Sequence, residues 1–475
     1  MLVFPSEASI LFPQASYDYA VFKTVGDAWA RGAVPYRDIF DNKGPLLYVI
    51  QIIGALFGHG KLGIWLLGVL AATVSFELMY RCGRMLEASS RGNAVALMFG
   101  ICAYALYLDG GNTVEQWSLP AELLPLYMVL RHFRSGEDGR WWRVAFVTGF
   151  CFGCVAVLRI NNNCIIAGIV MVVALYMWKY RMYTILLKSV VSFLCGLALA
   201  VLPFVLYFHA EGALDDMMYA NYLFNLSYMK EWPDIVGGMT VGKYIMNIFN
   251  LLPCALAIYV SWIYGLEKGR RYFALVASPA ALTFLVFLSG ETYLHYFMMG
   301  VPMIVLVIQM SWCCSVRLYR WMIVVSSVVL LPSMFFVGHA RLSEIRHKVQ
   351  TANNCDELSW VKAITELIPE AERDYVYTYG AVGPSSALNR LGYTPAGKYF
   401  YLQMMHRQVD ACADRDILVQ FSHVKPRWIL SAISPGMTSI PDYAEGYEEV
   451  VADSNSVSLP VGGKVYRRIE NYKSR

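Results

Sequence analysis

Between Leu62 and Gly338 the chain is written as a series of apolar runs of 15 to 23 residues, separated by short polar stretches. No water-soluble core has room for so many predominantly apolar segments of this length. A bilayer does, because its hydrocarbon core of about 30 Å takes ~20 apolar residues per helix. The composition agrees: 57% of residues are hydrophobic and only 16% are charged, where a soluble domain carries about 25% charge. The runs are Leu62–Cys82, Asn93–Leu108, Leu119–Phe133, Trp142–Leu158, Asn163–Trp178, Leu186–Phe208, Tyr244–Gly265, Tyr272–Ser289, Tyr296–Trp312 and Trp321–Gly338. They predict a polytopic α-helical membrane protein of about ten spans. Pro45–Phe57 is apolar but too short to cross, so it reads as an interfacial or re-entrant helix with Pro45 in its first turn.

Basic residues set the expected orientation. Arg81, Arg84 and Arg91, then Arg131, Arg134, Arg140 and Arg143, then Lys179, Arg181 and Lys188, then Lys268, Arg270 and Arg271, and finally Arg317 and Arg320 occupy every second loop. By the positive-inside trend those loops are cytoplasmic. The N-terminal segment, Asp109–Ser118, Arg159–Asn162, His209–Lys243 and Gly290–His295 then face outward. Met1–Gln14, broken by Pro5, Glu7 and Pro13, is expected to form neither a span nor a signal peptide.

Three regions follow: residues 1–60 as a first outer loop with interfacial helices, 61–338 as the helical membrane domain, and 339–475 as a small α/β domain on the outer face. In the last, a helix is expected near Leu358–Leu367, a strand at Tyr375–Tyr379, a Gly-Pro-Ser turn, a helix near Gln403–Ala411, and strands at Trp428–Ser431 and Lys464–Ile469. Most cysteines lie in or beside apolar runs and read as packing residues, the Cys151-x-x-Cys154 pair included. Export of the last region would permit a bridge between Cys355 and Cys412. The net charge of +4, spread over span ends, gives no nucleic-acid surface.

The polar groups expected on the outer side carry the chemistry. Asp18, Asp38, Asp41 and Lys43 precede the first run; Asp109, Asn112 and Glu115 follow in the next outer loop, then Arg159 with Asn161 and Asn162, then Glu291, Tyr293, His295 and Tyr296. A carboxylate serves as general base toward a hydroxyl, and lysine or arginine holds a phosphate. Charge kept at a lipid boundary is costly and points to a site. Plainer roles stand beside these. Asp41 and Lys43 serve equally as a helix cap and a snorkelling cation, Asp38 as the end of a turn after Pro35, Glu115 as a solvated loop residue, and His295 as a member of an interfacial aromatic belt.

The stretch Asp18-Tyr19-Ala20-Val21-Phe22, followed by Gly32-Ala33-Val34-Pro35-Tyr36-Arg37-Asp38-Ile39-Phe40-Asp41-Asn42-Lys43-Gly44-Pro45-Leu46, resembles the first outer loop of GT-C membrane glycosyltransferases. The group includes protein mannosyltransferases, aminoarabinose transferase and Rgt-type lipopolysaccharide glycosyltransferases. Gly111-Asn112-x-x-Glu115, Arg159-Ile160-Asn161-Asn162 and Tyr293-Leu294-His295-Tyr296 extend the resemblance over Asp18 to about Gly338. It implies a GT-C-like fold and a polyprenyl-phosphate sugar as donor, with inverting transfer to a glycan, lipid or protein acceptor on the extracytoplasmic face. Asp18 matches the family's catalytic aspartate and Lys43 the lysine that contacts the carrier phosphate. The resemblance also suggests Arg159 as a second phosphate contact, and Asp38, Asp41, Glu115, Tyr293 and His295 are further site candidates. That family places a span ahead of its aspartate, where only 17 residues precede Asp18 here.

No metal motif or cofactor motif stands out, and a divalent cation stays an open option. The alternative in another class is a transporter or flippase of a lipid-linked saccharide. Such proteins place charge at the bilayer midplane and carry internal repeats. This chain shows no repeat and gathers its charge at one face, which favours the enzyme. A catalytically inactive sugar-lipid binder of the same fold is a third reading.

Overall fold

The computed structural model describes residues 16–58, 61–136, 140–235, 240–288, 291–313, 335, 339, 343, 356–433, 440–450, 459–460 and 462–469. The expected run Trp321–Gly338, apart from residue 335, and Cys355 lie outside the described residues. Among the described residues, six stretches are long and apolar enough to cross a membrane: Leu62–Met85, Trp141–Lys179, Tyr183–Ala210, Val241–Lys268, Arg270–Leu288 and Leu294–Ser311. They make this a helical membrane protein. The chain divides into two compact units.

The first unit comprises Trp65–Val205 and Met239–Arg346, in their described residues. Its helices, numbered along the chain, are α3 (Leu62–Met85), α4 (Ser90–Tyr107), α5 (Val114–Ser135), α6 (Trp141–Arg159), α7 (Cys164–Lys179), α8 (Tyr183–Ala210), α11 (Val241–Lys268), α12 (Arg270–Leu288) and α13 (Val301–Ser311). Local chemistry sets several ends. Ser89 Oγ accepts the Gly92 N–H at 3.1 Å and starts α4, Thr113 Oγ1 accepts the Gln116 N–H at 3.4 Å and starts α5, and Gly136 ends α5 at φ 69°. α4 and α5 form over the expected runs Asn93–Leu108 and Leu119–Phe133 but fall outside the six apolar stretches.

The stretch Trp141–Lys179 is a hairpin of two helices. Arg159 is extended at φ −165°, ψ 113°, and a single 3-10 turn, Ile160–Asn163, separates α6 from α7. Beyond the turn, Asn163 Nδ2 donates to the Phe152 carbonyl at 3.3 Å. Cys151 and Val155 on α6 share a buried cluster with Ile166 on α7, with Val147 and Val170 packed against it. Pairing that runs backward along one helix as it runs forward along the other is antiparallel. α6 also meets α8 at backbone distance: a Cβ on Gly149 would stand 2.0 Å from the Phe193 carbonyl oxygen, and one on Gly196 2.0 Å from that of Phe146. Small residues give helices this approach where lipid removes the hydrophobic drive to associate. The other side of α8 exposes Leu187, Val190, Leu194, Leu199 and Leu202, as a lipid-facing helix does.

The second unit comprises Glu7–Ile64, Leu206–Gly238 and His347–Arg475, again in their described residues. The segment expected as a first outer loop holds two helices, α1 (Tyr17–Ala30) and α2 (Pro45–Ala55), the second with Pro45 in its first turn as expected. They touch at Gly26, where a Cβ would stand 2.4 Å from Gln51 Cβ. His209–Lys243, expected as a loop, is helical over α9 (Leu214–Met218), a π-turn at Tyr219–Leu223 and α10 (Phe224–Ile235).

A four-stranded sheet of order β1-β2-β4-β3 follows, from β1 (Val376–Gly380), β2 (Trp428–Ala432), β3 (Tyr447–Glu449) and β4 (Gly463–Arg468). β1 and β2 pair in parallel, and β4 runs antiparallel to both β2 and β3. Alternation sorts the strands' side chains onto two faces. Val376, Trp428, Leu430 and Val465 join Trp360 and Ile364 of α14 (Asp356–Leu367) and Leu388 of α15 (Gly383–Arg390). Tyr377, Tyr379, Ile429 and Tyr466 join Phe421 of α17 (Ala411–Val424). The expected Gly-Pro-Ser turn is instead the start of α15, since proline suits a first helical turn. The helix expected near Gln403–Ala411 is split at Asp410, extended at φ −148°, into α16 (Gln403–Val409) and α17.

Candidate functional site

In the second unit, Ser16 Oγ accepts the Tyr19 N–H at 3.3 Å and caps α1, which puts Asp18 in the first helical turn. A carboxylate is favoured there by the helix dipole. Asp18 is half-buried. Its charge and that of Asp41 reach the buried Tyr401, whose hydroxyl is held well above the usual phenol range, first by burial and then by these carboxylates.

The chain then turns sharply through Pro35–Ile39. Tyr36 sits at φ 72°, its N–H bound to the Ile39 carbonyl at 2.7 Å. Asp38 shapes this turn by accepting the Val34 N–H at 2.8 Å and the Arg37 guanidinium at 2.8 Å. The bond from Arg37 keeps the Asp38 carboxyl below the usual carboxylate range. Asp38 is therefore a turn residue. Asp41 differs: it is 1% exposed and accepts from the Tyr48 hydroxyl at 2.8 Å, the Tyr401 hydroxyl at 2.9 Å and the Asn42 N–H at 2.8 Å. Neither Asp41 nor Lys43 caps α2. Gly44 is its N-cap, with no side-chain cap.

Lys43 is half-buried, and its backbone carbonyl accepts the Tyr36 hydroxyl at 2.7 Å. Its Nζ donates to Asn42 Oδ1 at 2.6 Å, and Asn42 Nδ2 donates to Asn225 Oδ1 at 2.9 Å. The lysine is thus oriented by a neutral amide relay. Lys23, Lys243 and Lys398, comparably buried or more so, each pair with a carboxylate: Asp27, Glu291, and both Asp216 and Asp416. Lys43 makes no such pair among the described residues, and two of its three N–H donors have no protein partner there.

In the first unit, residues 109–112 all take left-handed backbone, at φ 43°, 86°, 79° and 58°. Two glycines flanked by Asp and Asn are the residues that tolerate it. Asp109 Oδ2 lies 2.9 Å from His295 Nδ1, and the Tyr293 ring stacks on the His295 ring at 9° and 5.7 Å. Glu115 is 1% exposed, in the first turn of α5, and its Oε1 accepts from Arg159 at 2.8 Å. It is no solvated loop residue. The Arg159 guanidinium lies 4.3 Å from the Tyr296 ring centroid, and Tyr296 meets His295 edge-on at 4.8 Å. Glu115, Arg159, Tyr293 and His295 thus form one connected cluster, while Asp18, Asp38, Asp41 and Lys43 belong to the second unit. No group of three or more His, Cys, Asp or Glu suited to a metal is gathered among the described residues.

No protein-family model, curated protein or solved structure matches this chain.

The residues that sequence reasoning missed are Tyr401 and His406. His406 is 2% exposed and ringed by Phe40, Phe224, Tyr399 and Tyr401 at 5.4 to 5.6 Å. Burial, and then the Lys43 charge, lower its pKa to about 3. The aromatic run Tyr399-Phe400-Tyr401 was the available signal, but it reads equally as packing in a chain with 32 tyrosines.

Proposed function

We propose that this protein is a polytopic membrane glycosyltransferase that moves a sugar from a polyprenyl-phosphate donor to a hydroxyl acceptor on the extracytoplasmic face. The observation that carries the reading is Lys43: a half-buried ammonium, oriented by Asn42 and Asn225, with no carboxylate to neutralise it among the described residues. Such a cation attracts an anion, and for a membrane protein a lipid phosphate is an anion at hand. Asp18 supplies the other half. Its carboxylate takes the proton of the acceptor hydroxyl as that oxygen bonds to the anomeric carbon. The bond from that carbon to the phosphate oxygen breaks on the opposite side, its electron pair leaves with polyprenyl phosphate, and Lys43 offsets the charge that develops there. The configuration at the sugar carbon inverts. The resemblance also implies a phosphate contact for Arg159, which stands with Glu115 and Tyr296 in the other unit. The resemblance of the Asp18–Leu46 stretch to GT-C first loops supports the same chemistry.

The test is incubation of purified protein in lipid nanodiscs with a panel of polyprenyl-phosphate sugars, scoring sugar release or transfer. Turnover of at least one donor is expected. Movement of donor across vesicle membranes with no release or transfer would replace this reading by a flippase.

A further inference from the structure

α5 carries Glu115, Ser118 and Glu122 at positions i, i+3 and i+7, which line one face of a helix. All three are buried, Glu122 at 0% exposure. Each grips a successive point of the break between α6 and α7. Glu115 takes the Arg159 guanidinium at 2.8 Å, Ser118 Oγ accepts from Asn162 Nδ2 at 3.1 Å, and Glu122 Oε2 accepts the N–H groups of Ile165 at 3.1 Å and Ile166 at 3.2 Å. The last contact is a helix cap supplied by a different helix. The opening N–H groups of a helix have no intrahelical acceptor, and the residue that should serve α7, Asn163, has turned its side chain to the Phe152 carbonyl instead. Ile165 and Ile166 are fully buried, so water is no substitute.

We propose that Glu122 is a positioning residue for Arg159. Arg159 is the extended residue at the break, and its aim depends on where the chain resumes. Glu122 fixes that point by holding the first turn of α7, and the 3-10 turn between them leaves no slack. Loss of Glu122 frees the two N–H groups, shifts the start of α7 and misaligns Arg159 with Glu115 and Tyr296. Its bearing on donor binding rests on the function proposed above; its bearing on the Arg159–Glu115 pair does not.

The experiment is a double-mutant cycle on the full chain in nanodiscs, read as thermal midpoint. Arg159→Ala strands a buried carboxylate and lowers the midpoint of the wild type. In the Glu122→Ala background, where Arg159 is already misaligned, the same substitution is expected to produce less than about half that shift. Additive losses overturn the proposal, because they make Glu122 a cap with no hold on Arg159. Should Glu122→Ala fail to accumulate in membranes, Glu122→Asp, which withdraws the acceptor by one methylene, enters the same cycle with the same two outcomes. Donor kinetics give the second readout. Glu122→Ala is expected to raise the Michaelis constant for the polyprenyl-phosphate sugar about tenfold with kcat nearly unchanged, and Glu122→Gln, which keeps an acceptor oxygen, to restore it. An unchanged Michaelis constant in the Glu122→Ala variant, where Arg159→Ala itself raises it, also overturns the proposal. A wild-type chain inactive on every donor counts against the proposed function alone, because the thermal cycle uses no donor.

Discussion

The Tyr401 hydroxyl donates to Asp41 Oδ1 over 2.9 Å, joining residues 360 positions apart. The same carboxylate holds Tyr48 from α2, at 2.8 Å. One buried charge therefore ties the segment before the first apolar run to a loop that follows the first strand of the sheet. Lys43 lies two residues beyond that tie, so its placement depends on it.

Removing the pieces of this tie should cost stability in proportion to the partners stranded. Tyr401→Phe leaves Asp41 with Tyr48 and the Asn42 N–H, at a cost of about 1–2 kcal/mol. Asp41→Ala strands the Tyr401 hydroxyl and the Asn42 N–H and leaves the Tyr48 hydroxyl only its 3.2 Å bond to the Lys43 carbonyl, at a cost of about 3–5 kcal/mol. Thermal midpoints in detergent check the order. Equal midpoints for the two variants would mean that the carboxylate is not the hub.

His406 predicts an acid-labile fold. Its pKa falls from about 6.5 in the unfolded chain to about 3 in the folded one, by burial first and the Lys43 ammonium second. Between those values the unfolded chain binds the extra proton, so stability is complete above pH ~6.5 and declines as pH falls toward ~3. At pH 5 the loss is about 2 kcal/mol, from 1.36 kcal/mol per pH unit. His406→Phe keeps a ring among Phe40, Phe224, Tyr399 and Tyr401 and removes the titration. Thermal midpoints at pH 7 and pH 5 should diverge for the wild type and stay closer for the variant. Parallel shifts in both proteins would assign the acid sensitivity elsewhere.

The helices were legible where the code is one of length and apolarity. The runs Leu62–Cys82, Leu186–Phe208 and Tyr244–Gly265 each became a helix a few residues longer than expected. The short helix α2 was legible from Pro45, and three of the four strands from their β-branched and aromatic residues; β3, with only Tyr447-Glu448-Glu449, had nothing to show. The helicity of Leu214–Ile235 was hidden by Asp215, Asp216, Lys230 and Glu231, which read as loop in a chain so poor in charge. At the candidate sites, Asp38 and Lys43 were visible as residue types in a short polar segment. Tyr401 and the inter-helix cap by Glu122 were not, because each depends on contacts made far along the chain, and a single sequence carries no sign of partners chosen by folding.

The contact of α6 with α8 makes a prediction about size alone. Gly149 and Gly196 each face a carbonyl oxygen of the other helix, 2.0 Å from where a Cβ would sit. A backbone atom cannot rotate aside as a side chain would, so even Gly149→Ala must push the helices apart. Overpacking of this kind costs about 1–3 kcal/mol. Gly136→Ala, at a helix end with open space around it but φ 69°, should cost about 1 kcal/mol from backbone strain alone. Midpoints that put Gly149→Ala at or above Gly136→Ala would contradict the close approach.

Asp18 and Lys43 separate chemistry from binding. Asp18→Asn keeps the size of the side chain and its place in the first turn of α1 but removes the proton acceptor. Transfer should fall by at least ~100-fold, in line with the usual contribution of a general base, while the thermal midpoint stays near that of the wild type. Lys43→Ala removes a charge-assisted contact that exists in the bound donor and in the transition state alike. Its effect should therefore appear mainly in the Michaelis constant, raised roughly tenfold or more, with kcat at saturating donor largely kept. Lys43→Arg retains charge but places it on a fork that does not match the single amide oxygen of Asn42, and should recover only part of the affinity. Initial rates across donor concentrations for the three variants decide the assignment. Full transfer by Asp18→Asn removes it from the mechanism, and a Lys43→Ala defect confined to kcat removes the lysine from the donor phosphate.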